Sequence, residues 1–151
     1  MLVNWWQHYD ANMSDVFFDV LQMSKAKYNL EVSSVSSGKH GVMTARIVAA
    51  FEEVVEQEMP NILQVYGATN TSLAGALLAA KLRMLVANVR AGILILPCTM
   101  PEEINRILVD CISSLLLCPS QRGVGDLLLK ESPNYVLFDG VVIYDLFKSD
   151  L

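Results

Sequence analysis

The chain has 151 residues, of which 53% are hydrophobic, and a formal net charge of −5 at pH 7. Apolar runs of the roughly 20 residues that a membrane-spanning helix needs are absent, and the few Lys and Arg residues form no basic cluster of the kind that binds nucleic acid. The N-terminus lacks the basic and apolar segments of a signal peptide. We therefore predict one domain in a cytoplasmic protein that binds neither nucleic acid nor a membrane.

The first third of the sequence predicts the end of a strand, two helices and a long polar connection. Residues 1–6 are apolar, and residues 10–23 place apolar side chains at helical spacing, with Ser14 as the N-cap. Residues 25–39 are polar and rich in serine, which is typical of a loop. Residues 42–58 form an amphipathic pattern that Pro60 ends.

The chain is organised around residues 61–106, which repeat one pattern. Residues 62–66 predict a strand, 67–72 a turn of small residues and 73–83 a helix; residues 84–89 predict a second strand, followed by a loop over 90–100 and a helix from Pro101. This repetition predicts neighbouring parallel strands with crossover helices. Ligands of such sheets bind outside the carboxyl ends of the strands, here the loops 67–72 and 90–100. Asn70, Thr71 and Ser72 are interpreted as caps of the helix that follows.

The remaining elements continue the alternation. The helix from Pro101 is predicted to end near residue 111 or 113, with Glu102 and Glu103 in its first turn and Arg106 as an ion-pair partner one turn on. Strands are predicted at 114–118 and 135–138, a short helix capped by Ser120 runs to residue 129, and a last helix covers 142–147. The spacing of Cys98, Cys111 and Cys118 matches no zinc motif, so we interpret them as reduced thiols and predict no metal site.

Six motifs follow one another along almost the whole chain. They occupy residues 7–14, 37–44, 66–76, 87–92, 100–106 and 140–145. Among them are Ser-Gly-Lys-His-Gly-Val-Met-Thr, which starts at residue 37, and Met-Pro-Glu-Glu-Ile-Asn-Arg, which starts at residue 100. Together and in this order they resemble the non-hydrolysing UDP-N-acetylglucosamine 2-epimerases. The resemblance implies an α/β, Rossmann-like parallel sheet with helices on both faces, the first domain of a two-domain, GT-B-like enzyme.

The family's reaction inverts C2 of UDP-N-acetylglucosamine to give UDP-N-acetylmannosamine. It proceeds by elimination of UDP to a 2-acetamidoglucal and re-addition, with carboxylates as acid and base, and it needs no metal or other cofactor. The resemblance implies that Glu102 stands at a catalytic carboxylate. It also implies binding of substrate or of a regulatory UDP-sugar by Gln7, His8, His40 and Arg106, for which solvated or structural roles are the alternative.

The departures from the family pattern concern the reaction itself. Ala68 and Arg90 stand where the family has its catalytic Asp and Glu, and Asn88 replaces a His two residues before that Glu. The family's first strand and its second domain have no counterpart in the sequence, so we interpret residues 1–151 as one partial domain that lacks the first strand.

Three hypotheses follow: an inactive derivative of the first domain, which we favour, half of a split epimerase completed by another chain, or a non-catalytic binding module. We also expect the chain to form homo-oligomers or to associate with a chain that supplies the missing domain.

Overall fold

The computed structural model describes residues 1–4, 26–30, 39–93, 99–129 and 135–140 of the chain. It divides into two compact units, Met1–Met59 and Pro60–Leu151, called unit one and unit two below. The predicted helices over 10–23 and 142–147 lie outside the described residues, as do the proposed cap Ser14, Gln7, His8 and Cys98.

Within residues 1–4, 26–30 and 39–59, unit one contains a small parallel sheet and one long helix. Strand β1 (Val3–Asn4) pairs with β2 (Tyr28–Asn29), which lies within the stretch predicted as a loop. That prediction is wrong at Tyr28 and Asn29, because two paired residues in a polar segment leave no apolar pattern to detect. Helix α1 (His40–Glu58) ends where Met59 adopts a left-handed φ of 44° and donates its N–H to Val55.

Helix α1 buries apolar side chains on one face and is tied to β2 at its C-terminal end. Ile47, Phe51, Val54 and Val55, at the helical spacing of that face, are buried. Glu58 accepts hydrogen bonds from Lys27 Nζ at 2.6 Å and from the Tyr28 hydroxyl at 2.5 Å. These contacts fix the end of the helix against β2 within unit one.

The part of unit two that the structure describes contains a four-stranded parallel sheet and three helices. Its elements are β3 (Ile62–Tyr66), α2 (Asn70–Lys81), β4 (Leu85–Val89), α3 (Pro101–Ile112), β5 (Leu115–Cys118), α4 (Gln121–Leu128) and β6 (Tyr135–Phe138). Neighbours in the sheet follow chain order, β3-β4-β5-β6, and all pairs are parallel. The predicted α/β class, the four strands and the pairing of 62–66 with 84–89 are confirmed.

Helices α2, α3 and α4 cover the same face of the sheet in unit two. The register pairs Leu63 with Val86 and Asn88 with Leu116, so these side chains share a face. Successive crossovers of one hand that advance in one direction place their helices on that face. Two apolar clusters fill the space between the sheet and the helices. The first contains Val65, Ala76, Ala79, Val86 and Val109, and the second contains Ala91, Leu116, Cys118 and Leu127.

Candidate functional site

The loop after β3 is closed by hydrogen bonds from both of its ends. Gly67 has a φ of 70° and donates its N–H to Val89 O at 3.3 Å, which joins the carboxyl ends of β3 and β4. Thr69 Oγ1 accepts from the N–H of Ser72 at 3.2 Å, and the Ser72 hydroxyl donates to the carbonyl of Tyr66. Helix α2 therefore begins at Asn70 with Thr69 as its N-cap. The prediction that Asn70, Thr71 and Ser72 cap a helix starting at Leu73 is wrong by one turn.

The loop after β4 turns sharply through two residues of positive φ. Arg90 has a φ of 72° and Gly92 a φ of 69°, while the N–H of Ala91 bonds to Leu117 O at 3.0 Å. A side-chain carbon at Gly92 would lie 2.8 Å from the carbonyl oxygen of Gly123, in the first turn of α4. Glycine is therefore required at residue 92 both by the turn and by the close approach of two backbones.

An ion pair at the start of α3 holds the far side of this loop. Glu103 is 2% exposed and pairs with Arg106 three residues later. The same guanidinium donates to the carbonyl of Ile93 at 2.8 Å. The predicted ion pair of Arg106 within its helix is confirmed, with Glu103 as its partner, and it also anchors the loop.

Asn105 of α3 reaches the other loop. Its side chain is buried, and its Nδ2 donates to the carbonyl of Ala68 at 3.2 Å and to Asn70 Oδ1 at 3.0 Å. One amide group thus fixes the backbone of position 68 and the first residue of α2. Helix α3 therefore contacts both loops at the carboxyl edge of the sheet.

A second polar contact lies deeper, between α3 and the end of β4. Asp110 Oδ1 accepts from Asn88 Nδ2 at 2.7 Å, and its Oδ2 accepts from the N–H of Gly92 at 3.2 Å. Asn88 is 1% exposed, and its Oδ1 has no hydrogen-bond partner among the described residues. Leaving such an acceptor unpaired in the interior costs about 1–3 kcal/mol. The hydrogen bond from Asn88 Nδ2 to Asp110 therefore comes with an unfavourable term from the unpaired Asn88 Oδ1.

Helix α3 turns its polar side chains inward and part of its apolar surface outward. Glu103, Asn105 and Asp110 are buried, whereas Ile104 and Leu108 are 48% and 45% exposed. Asn105 and Asp110 are not among the site residues predicted from the sequence, because a helix is normally expected to bury its apolar side. One signal in the sequence could have identified them. Asn105 and Asp110 lie one turn before and directly after Val109, an apolar residue expected in the core, so polar side chains are expected beside it in the interior.

The predicted site residues occupy different places in the two units. Glu102 lies exposed in the first turn of α3, Ala68 is half-buried after β3, and Arg90 is exposed after β4. Ala68 and Arg90 lie at the carboxyl ends of their strands, and Glu102 lies at the start of the next helix. Arg106 lies one turn beyond Glu102. His40 is the exposed first residue of α1 in unit one, where its carbonyl accepts from Thr44 Oγ1 at 2.9 Å.

Among the residues that the structure describes, no three His, Cys, Asp or Glu side chains group closely enough to hold a metal ion. No helix within the described ranges is long and apolar enough to cross a membrane.

The sequence is similar to one known protein family over nearly its whole length. Residues 2–150 match the family model described as UDP-N-acetylglucosamine 2-epimerase. The chain is 43% identical over 127 residues to a UDP-2,3-diacetamido-2,3-dideoxy-D-glucuronate 2-epimerase of Pseudomonas aeruginosa, covering 84% of this chain and 35% of that protein. It is 42% identical over 139 residues to the UDP-N-acetylglucosamine 2-epimerase of Methanocaldococcus jannaschii, covering 90% of this chain and 37% of that protein.

The solved structures agree with the sequence matches. A crystal structure of the M. jannaschii UDP-GlcNAc 2-epimerase in complex with UDP-GlcNAc and UDP superimposes with a TM-score of 0.88 at 40% identity, covering 96% of this chain and 40% of that one. The chain thus spans well under half the length of the curated relatives to which it is similar.

Proposed function

The chain belongs to the UDP-N-acetylglucosamine 2-epimerase family, and from that premise we propose that it is an inactive derivative of the first domain of such an enzyme. In this proposal residues 1–151 correspond to that first domain, and the protein is cytoplasmic. The observation that carries it is the replacement of both loop carboxylates, at Ala68 and Arg90, while the loops keep well-defined backbone contacts.

The chemistry explains why these two replacements matter. Exchange at C2 needs a base to remove the proton on carbon and an acid to assist the departure of UDP. Each missing acid or base lowers the rate by about 10²–10⁴-fold. Ala68 contributes no titratable group, and Arg90 brings a permanent positive charge in place of a carboxylate. Glu102 alone keeps a carboxylate at the positions that the resemblance identifies as catalytic.

Proton exchange tests the proposal without requiring net epimerisation. The purified chain is incubated with UDP-N-acetylglucosamine in deuterated water, and loss of the C2 proton signal is followed by NMR. We expect no exchange above the buffer control, with the full-length M. jannaschii relative as positive control. Because the P. aeruginosa relative is named for a diacetamido-glucuronate substrate, that UDP-sugar is assayed in parallel. Exchange of either sugar that depends on the chain would contradict the proposal.

Restoring the two carboxylates tests whether activity is lost because of residues 68 and 90 or because a second domain is needed. We expect the Ala68→Asp, Arg90→Glu double variant alone to stay inactive. The variant is then mixed with the second domain of the M. jannaschii relative. Activity of the mixture would show that residues 68 and 90 are what this chain lacks.

The split-enzyme hypothesis makes a different prediction from the same materials. If another chain completes a working enzyme, the unmodified chain should become active when the second domain is added. We expect it to stay inactive, since Ala68 and Arg90 are unchanged in that mixture. A binding module would instead show saturable UDP-sugar binding by calorimetry without proton exchange.

A further inference from the structure

One carboxylate contacts both sides of the turn that carries residue 90. Asp110, buried in the second half of α3, accepts from Asn88 Nδ2 at 2.7 Å through one oxygen. Its other oxygen accepts from the N–H of Gly92 at 3.2 Å. Residues 88 and 92 flank Arg90, so this single side chain holds the strand end and the turn together.

A buried carboxylate is an unusual way to hold a helix against a sheet. Removing an ionised group from water is unfavourable unless hydrogen bonds compensate for it. An apolar side chain at residue 110 would cover β4 without that penalty, as Val109 beside it does. The carboxylate instead provides directional hydrogen bonds. It orients the side-chain amide of residue 88 and the backbone N–H of residue 92.

The backbone of the turn needs such a restraint. Arg90 has a side chain yet adopts a φ of 72°, a conformation that non-glycine residues avoid unless their surroundings hold them in it. The restraints on its neighbours are the Ala91 N–H bonded to Leu117 O and the Gly92 N–H bonded to Asp110. Asp110 thus supplies one of the hydrogen bonds that restrain the turn containing residue 90.

The side chain of residue 88 is oriented by the same group. Only the NH₂ end of an amide can face a carboxylate, and this leaves Asn88 Oδ1 without a partner in the described part of the chain. A histidine, which the family motif carries at this position, would donate a ring N–H to Asp110 and keep its second nitrogen for another contact.

We propose that Asp110 is a positioning residue of the epimerase-like site, which orients the side chain of residue 88 and fixes the turn that presents residue 90. This proposal rests on the proposed relation of these loops to the family's site. The contacts of Asp110 to residues 88 and 92 do not involve Ala68, Arg90 or Glu102.

An introduced histidine reports on the contact directly. In Asn88→His, NMR titration should reveal one new imidazole besides those of His8 and His40. In Asn88→His, Asp110→Asn the pKa of that imidazole should be lower by at least about one pH unit, because the neighbouring negative charge is gone. The control is the double variant Asn88→His, Cys111→Ala, which changes an exposed residue of the same helix. The pKa of its new imidazole should equal that in Asn88→His. Equal pKa values with and without the Asp110 carboxylate would overturn the proposal.

A second measurement needs no change at residue 88. In Asp110→Leu the Gly92 N–H loses its acceptor, and its hydrogen exchange should accelerate at least about tenfold relative to the unmodified chain. The Ala91 N–H, bonded to Leu117 O, should keep its protection. Unchanged exchange at Gly92, or equal acceleration at both amides, would overturn the proposal, because Asp110 would then act on overall stability or not at all.

Neither readout involves a substrate. Proton exchange by the unmodified chain would refute the proposed function and leave the role of Asp110 standing. Identical titration curves in the two histidine variants would refute the role of Asp110 and leave the proposed function standing.

Discussion

Replacing Gly92 by alanine should strongly destabilise unit two. Residue 92 has a φ of 69°, where a side chain costs about 1–2 kcal/mol. The new carbon would also lie 2.8 Å from Gly123 O and 3.0 Å from Leu127 Cδ1. Forcing atoms into a packed interior typically costs a further 1–3 kcal/mol, roughly. We therefore expect Gly92→Ala to lower the free energy of unfolding by about 2–5 kcal/mol.

Two other glycines provide matched controls for this prediction. Gly67 has a φ of 70° but open space around it, so Gly67→Ala should cost only the backbone term of about 1–2 kcal/mol. Gly125 lies inside α4 with nothing within 4 Å, so Gly125→Ala should stabilise the chain by about 0.5–1 kcal/mol. Urea unfolding followed by circular dichroism measures all three. Equal losses for Gly92→Ala and Gly67→Ala would refute the claim that the approach to Gly123 is tight.

Three further predictions concern charge, thiols and association. Hydrogen bonds from Lys27 and then from Tyr28 hold the pKa of Glu58 below its ordinary 4.5. The contribution of Glu58 to stability is therefore present above pH 4.5 and is lost as the pH falls through the lower pKa of the folded state. Glu58→Gln should flatten the acid side of a plot of melting temperature against pH, and an unchanged slope would contradict this. Burial, followed by the charge of Asp110, raises the pKa of Cys118 to about 11; mass-spectrometric mapping after alkylation should find Cys111 modified and Cys118 spared, whereas equal labelling would count against the fold. The exposed apolar side of α3 should drive association, so light scattering should show species heavier than the 16.7 kDa monomer, which Leu108→Glu should dissociate; a monodisperse monomer of the unmodified chain would be the contrary result.

The elements of unit two could be predicted because their signals are local. Pro101 does begin α3, and Ser120 caps α4 by accepting from the N–H of Gly123 at 3.1 Å. Apolar runs bounded by turn residues place the four strands to within one residue of their observed bounds. Neighbouring parallel strands follow from the alternation of strand and helix, which needs no knowledge of distant contacts.

The missed features depend on contacts between segments that are far apart in sequence. Strand β2 exists because Tyr28 pairs with Val3, and neither the polarity nor the length of its segment reveals a partner. Asn105 and Asp110 contact backbone groups of two loops, so their roles appear only when α3 is placed against β4. The candidate positions 68, 90 and 102 could be identified by resemblance, whereas the framework that holds 68 and 90 could not.

The order of strands in unit two has a consequence for how the chain folds. Each strand after β3 pairs with the strand that precedes it, so every pairing closes a connection that contains one helix and its flanking turns. Short loops lose little entropy on closure, and folds rich in near-neighbour contacts form faster than those that join distant segments. The sheet can therefore form by pairing of segments that are close in sequence, and we expect this part of the chain to fold quickly for a parallel sheet.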